Sequence, residues 1–272
     1  MRNIVKTCLL IYTFIFFNTT RCCSCKAGNS PNNSALRCKP SERAALLNFK
    51  HNLTFFDEDV LSAWKGEECC KWRGVVCDNT TGHIFELHLN GDDTNHVLKM
   101  EKLEYLLELK QLQSLDLSRN NFSYRSVPRF MGFMKQLMHL NLNSASLGGS
   151  IPYELDQDLD TSGVSEVIQG IERAYTSTLP YLVDIDLSCN NLVGSIPNDV
   201  TKMSSLLSLN LSHNQLSGTI PNNIGGLRSL ISLDLSKNKL RGSIPTSMGE
   251  LYCLSHLDLS YNNLSGPIPT GN

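Results

Sequence analysis

The sequence has no excess of charge of either sign: across 272 residues, 24 lysines and arginines meet 26 aspartates and glutamates, for a formal net charge of −2. That balance excludes the basic footprint nucleic-acid binding requires. It also leaves no polybasic patch for an anionic membrane surface. The apolar stretch Cys8–Phe17 has ten residues, well short of the roughly 20 that cross a bilayer. No G-x-S-x-G, H-E-x-x-H, Walker or G-x-G-x-x-G string occurs, so the common catalytic and nucleotide signatures offer no reading.

What the chain does have is a repeat. "LNLSHNQLSGTIP", "LDLSKNKLRGSIP" and "LDLSYNNLSGPIP" follow one another, and Asn190, Asn214, Asn238 and Asn262 are each 24 residues apart. A fixed period of this size means a solenoid, in which each unit stacks on the next. Leu233 and Leu235 alternate with Asp234, the period-2 signature of a short strand with one buried face. Asn238 sits where the chain leaves that strand, and its amide can pair with backbone groups that have lost ladder partners. Stacked copies would form a ladder. Gly242 suits a positive φ or a close approach, and Pro245 stops the return segment from extending as a strand.

These residues resemble the plant extracellular type of leucine-rich repeat, marked by the L-x-G-x-I-P half. The resemblance implies an α/β solenoid, with a parallel β-sheet on the concave face and a disulfide-bonded helical N-terminal cap. Six repeats are recognisable, anchored on Leu115/Leu117/Asn120, Leu140/Leu142/Ala145, Ile185/Leu187/Asn190, Leu209/Leu211/Asn214, Leu233/Leu235/Asn238 and Leu257/Leu259/Asn262. A capping strand with Ile84, Leu87 and Leu89 precedes them. Ala145 replaces asparagine in the second repeat, so a rung is expected to be missing there. Leu254, Leu257, Leu259, Leu264 and Ile268 should form the last core layer.

Upstream, Arg2, Lys6 and the Cys8–Phe17 run read as a secretory signal over residues 1–24. An exported chain places its ten cysteines among disulfides rather than metal sites. Cys22, Cys23 and Cys25 lie at the signal boundary and read as targeting sequence rather than a redox motif. Residues 25–82 are similar to the plant leucine-rich-repeat cap: "CKPSERAALLNFK", "LSAW", "CCKWRGVVC" and "TGH". Ser41 is read as the helix N-cap, with Ala45, Leu46, Phe49 and Leu53 along one face. Four cysteines formally allow three pairings; the resemblance implies Cys38–Cys69 and Cys70–Cys77. Cys189 and Cys253 stand two complete repeats apart, too far to join, and are expected as free thiols.

The capping strand and first two repeats occupy 83–152, four repeats occupy 181–269, and 270–272 is a tail. Between them, 153–180 loses the leucine frame. Asp156, Asp158 and Asp160 imitate a calcium loop, but Thr161 and Val167 replace its required Gly and Glu. This island, with "VIQGIERAY", resembles the membrane-proximal end of plant receptor-like proteins. The resemblance implies a non-enzymatic ectodomain without cofactor or metal that binds a peptide, glycan or protein. It also implies a co-receptor kinase docking at the C-terminal repeats, and a secreted or cell-surface location in defence or development. The alternative is a secreted inhibitor of microbial cell-wall hydrolases, similar to polygalacturonase-inhibiting proteins.

Recognition residues are expected on the outward face of the strands, at the variable positions Arg119, His139, His213, Lys237, His256 and Tyr261. "HIFELH" offers Glu86 and His88 on the same face, read as ordinary surface residues rather than a metal pair. Sequons lie at Asn18, Asn32, Asn52, Asn79, Asn121, Asn210 and Asn263, the last six as glycan acceptors in the mature chain. Expression in plant cells followed by glycosidase treatment should lower the apparent mass. An unshifted, cytosolic protein would remove the export reading.

Overall fold

The first five leucine-rich units begin on three extended residues whose middle side chain is buried: Leu115, Leu140, Ile185, Leu209 and Leu233 are all under 10% exposed. The computed structural model describes residues 38–55, 61–91, 97–100, 102–152 and 182–269. The signal segment, the island motif, Asp156–Asp160, Asn18, Asn32 and the tail fall outside the described residues.

The main sheet has eight strands. Seven run parallel: Ile84–His88, Ser114–Asp116, His139–Asn141, Asp184–Asp186, Ser208–Asn210, Ser232–Asp234 and His256–Asp258. Val75–Cys77 adds an antiparallel edge beside the Ile84–His88 strand. The 45-residue step between Leu140 and Ile185 does not interrupt the stack, because these two residues are direct neighbours in the register. At ~4.8 Å per strand the seven parallel strands make a face about 30 Å long.

The L-x-G-x-I-P halves build something the sequence reading omitted. Val193–Gly194, Gln215–Gly218, Lys239–Ser243 and Asn263–Ser265 form a second, four-stranded parallel sheet. Gly194, Gly218, Gly242 and Gly266 sit at φ from 80° to 84°, where a Cβ is strained. After the first three of these strands a proline leads towards a short 3₁₀ turn, as at Pro245 before Thr246–Glu250. Return segments are therefore 3₁₀ turns, and among the described residues the cap carries the α-helix.

Asparagine at the strand exit ties each repeat to the one before. Asn214 Nδ2 donates to the carbonyls of Leu187 (2.9 Å), Leu211 (3.1 Å) and Ser212 (3.1 Å), and its Oδ1 accepts from Leu192 N–H at 3.0 Å. Asn120, Asn190, Asn238 and Asn262 repeat the pattern. The ladder thus runs from amide to backbone rather than from amide to amide. Ala145 cannot offer a side-chain acceptor, and the Phe122 N–H is bound by the Ala145 backbone carbonyl at 2.9 Å instead. The missing rung is replaced, not left empty.

The cap helix spans Pro40–His51, with Lys39 as its N-cap and Pro40 inside the first turn. Ser41 is therefore not the cap. Proline suits that position because its absent N–H would have had no partner there. Glu42 in the same turn is 2% exposed. It accepts from Ile84 N–H at 2.8 Å and meets His83 Nδ1 at 2.7 Å, which fastens the helix to the first parallel strand. Trp64 and Trp72 stack at 5.3 Å, and their indole N–H groups donate to the Arg73 and Lys65 carbonyls. The bridges Cys38–Cys69 and Cys70–Cys77 are both formed, with Cα separations of 5.5 and 5.4 Å. Leu53–Phe55 pairs antiparallel with Leu98–Met100, joining the cap to the segment between the capping strand and the first repeat.

Two expectations need correction. Cys189 is a free, exposed thiol, but Cys253 is disulfide-bonded. The distance argument correctly kept the two apart, but it tested no other partner for Cys253. The last layer also differs from the others. Leu254, Leu259 and Leu264 are half-buried, whereas Leu257 is 44% and Ile268 81% exposed.

Removing an interior rung should be costly. Asn214→Ala leaves the Leu192 N–H and several carbonyls short of a partner, at roughly 1–3 kcal/mol for a buried group left unmet. Urea denaturation should show that loss, while exposed Gln215→Ala stays within about 0.5 kcal/mol. Equal effects would show that the rung does not hold the stack.

Candidate functional site

The outward face of the seven parallel strands is a set of rows fixed by the register. The first row holds Glu86, Ser114, His139, Asp184, Ser208, Ser232 and His256. The second holds His88, Asp116, Asn141, Asp186, Asn210, Asp234 and Asp258. An open concavity of 390 Å³ lies over the middle of both, lined by His139, Asp184, Asp186, Asn210, Asp234 and His256 among others.

Second-row side chains shape the exit from each strand. From Asp116 to Asp258 their Oδ1 atoms accept from the backbone N–H two residues on, from 2.8 Å at Asp258 to 3.1 Å at Asn141 and Asn210. The recurring Asp-x-Ser and Asn-x-Ser pairs are thus turn-forming, and Ser118, Ser188, Ser212 and Ser236 are buried rather than outward. At Asp258, hydrogen bonds from Ser260 hold the carboxyl below its usual range, helped by His256 and Lys237. Asp78 is lowered much further by hydrogen bonds from Thr80 and Thr81, in the turn before the first parallel strand.

The six expected recognition residues divide into two groups. His139 and His256 open their strands on the concave floor, as expected. Arg119, His213, Lys237 and Tyr261 are not on strands. With Ser144 and Cys189 they occupy a left-handed turn position, at φ from 51° to 57°. The strands last three residues before the turn takes over, so counting alternation further along the chain misplaced these four. They line one rim of the sheet, where Lys237 Nζ lies 5.6 Å from the Tyr261 ring centroid.

Two contacts went unforeseen. His139 Nδ1 meets Asp184 Oδ2 at 2.6 Å across 45 residues; the sequence alone could not show that these strands adjoin. His88 Nε2 meets Glu86 Oε2 at 2.8 Å, a hydrogen-bond contact on the first parallel strand. Among the described residues, the grouping with metal-ligand proximity is Cys38, Cys69 and Cys70, whose sulfurs the cap bridges already use. Of the sequons, Asn79 and Asn263 are exposed, and Asn52 and Asn121 are half-buried. Asn210 lies within a strand with its Oδ1 held by Ser212. Among the described residues no helix is long and apolar enough to cross a membrane.

Comparison with known proteins agrees with this architecture. Residues 39–78 match the leucine rich repeat N-terminal domain; 111–133, 165–216 and 217–264 match leucine rich repeats. The chain is 43% identical over 123 residues to receptor-like protein EIX2 of Solanum lycopersicum, covering 42% of this chain and 12% of that one. It is 35% identical over 188 residues to EIX1 of the same plant, covering 62% of this chain and 18% of that one. The chain therefore spans less than a fifth of the length of these relatives. The structure of Pollen Receptor Kinase 3 superposes with a TM-score of 0.65 at 26% identity, over 81% of this chain and 95% of that one. The match in cap, repeats and sequence makes this a leucine-rich-repeat protein homologous to the plant receptor-like proteins.

Proposed function

We propose that this chain is a non-enzymatic extracellular recognition module that binds an extended peptide on its concave sheet and docks a separate receptor kinase at its C-terminal repeats, in defence or developmental signalling. The observation that carries the reading is the unbroken register through His139 and Asp184. It turns two groups of repeats into one polar face, long enough for a peptide of roughly nine residues at ~3.3 Å each. The relatives are named as receptor-like proteins, and an interaction surface is what such a face supplies. Charged and aromatic side chains on floor and rim are the expected energetic anchors.

Kinase docking at the C-terminal repeats is part of this reading, and exposed aromatic side chains there support it: Tyr252 and Tyr261 are 55% and 76% exposed. Aromatic side chains of this kind favour association.

Two measurements test the reading. Nonapeptides selected from a random phage library against the secreted protein should bind about tenfold more weakly after His139→Ala and Asp184→Ala together, with the melting temperature unchanged. Undiminished binding would move the site off the concave floor. Hydrogen exchange should be much faster for the amides of 254–268 than for those of 206–221. Uniform protection across the last repeats of a monomer would remove the argument for docking there.

A further inference from the structure

We infer that Asn210 carries an N-linked glycan that stands on the concave floor and confines a peptide ligand to the four strands on its His139 side. The confinement rests on the reading of that floor as a peptide-binding face. Among the seven second-row positions, Asn210 alone opens a sequon, Asn210-Leu211-Ser212; the other asparagine of the row, Asn141, is followed by Leu142 and Asn143. The turn does not demand asparagine, because Asp186 and Asp234 accept the same bond in the neighbouring repeats, both at 2.9 Å.

The atom that the modification takes is the free one. Ser212 N–H and Oγ–H both donate to Asn210 Oδ1, at 3.1 and 2.8 Å, and among the described residues Nδ2 has no partner. No buried side-chain nitrogen or oxygen of these residues lacks a partner, so that Nδ2 reaches solvent, and Asn210 lines the open concavity. A rung asparagine differs, since Asn214 Nδ2 is engaged by three carbonyls. In glycosylation Nδ2 loses one proton and bonds the anomeric carbon of a lipid-pyrophosphate-linked oligosaccharide, whose pyrophosphate leaves. Oδ1 is untouched. Both turn bonds survive.

Position then decides the effect. Asn210 lies on the fifth of the seven parallel strands. A bulky glycan there blocks an extended chain from crossing the whole floor of about 30 Å. The four strands from Ile84–His88 to Asp184–Asp186 stay open over ~14 Å, room for about four extended residues at ~3.3 Å each. His139 and Asp184 fall within that stretch, whereas Ser232 and His256 lie beyond the glycan.

The test uses the full chain secreted from plant cells. Mass spectrometry of the tryptic peptide 203–228, in which Asn210 is the one sequon, should find the glycan attached. Asn210→Asp, which keeps the turn acceptor, and Ser212→Ala, which keeps the backbone donor, each remove it. Nonapeptides selected from a random phage library against one variant should bind the other equally and the wild-type glycoprotein about tenfold more weakly. Asn79→Gln, which removes a sequon away from the floor, should leave that difference in place. An unmodified 203–228 peptide, or equal binding by wild type and variants, would overturn the inference. If neither variant enriches any nonapeptide, the peptide reading falls and takes the confinement with it, an outcome told apart by the glycan still found on Asn210.

Discussion

A chain that leaves a buried strand every 24 residues must find partners for backbone groups that the sheet no longer serves. The asparagine amide answers that demand. Its one oxygen and two hydrogens reach both its own repeat and the preceding one, as at Asn190, which serves Ala145, Leu147, Leu142 and Leu187. Buried groups left unmet cost roughly 1–3 kcal/mol each, and among the described residues no buried side-chain polar atom lacks a partner. The rung therefore acts between repeats as much as within them, which is what makes stability propagate along a solenoid.

With the exit held from inside, the outward positions are freed. The left-handed turn position accommodates arginine, serine, cysteine, histidine, lysine and tyrosine in successive repeats, although a Cβ there costs ~1–2 kcal/mol. The conformation holds because the N–H of that residue is bound by the next repeat, as Lys237 N–H is by Ser260 at 2.9 Å. Gly242 has no such freedom, since a Cβ there would meet Thr219 Cγ2 at 3.1 Å. Invariant and variable positions thus follow from what each backbone group touches, and the variable ones gather on the concave floor and its rim.

Much of this was legible in the residues. The leucine spacing gave the strands, the asparagines gave the rungs, and the cap motif implied Cys38–Cys69 and Cys70–Cys77. What stayed hidden depended on geometry without a local pattern. The second sheet arises because glycine at φ near +80° turns the chain back alongside its neighbour, and a short polar string such as "KLRGS" does not announce a strand. The four rim residues were misplaced because a strand's end is set by the asparagine or aspartate turn rather than by alternation. The His139–Asp184 contact depends on stacking across a segment that carries no repeat.

The first and last described repeats differ in how fully their core leucines are buried. At the N-terminal end the first core layer is closed by a helix held through Glu42, by two disulfides and by stacked tryptophans, leaving Ile84 and Leu87 fully buried. At the other end the equivalent leucine, Leu257, is 44% exposed, whereas Leu233 one repeat earlier is 0% exposed. Burying a leucine side chain is worth ~1.5–3 kcal/mol, which is the scale of what each interior repeat gains from the repeat after it. Between interior repeats that gain comes with a parallel strand pairing and an asparagine rung, as between Leu209 and Leu233. The concave rows can then vary from repeat to repeat without disturbing the leucine and asparagine contacts that join neighbouring repeats.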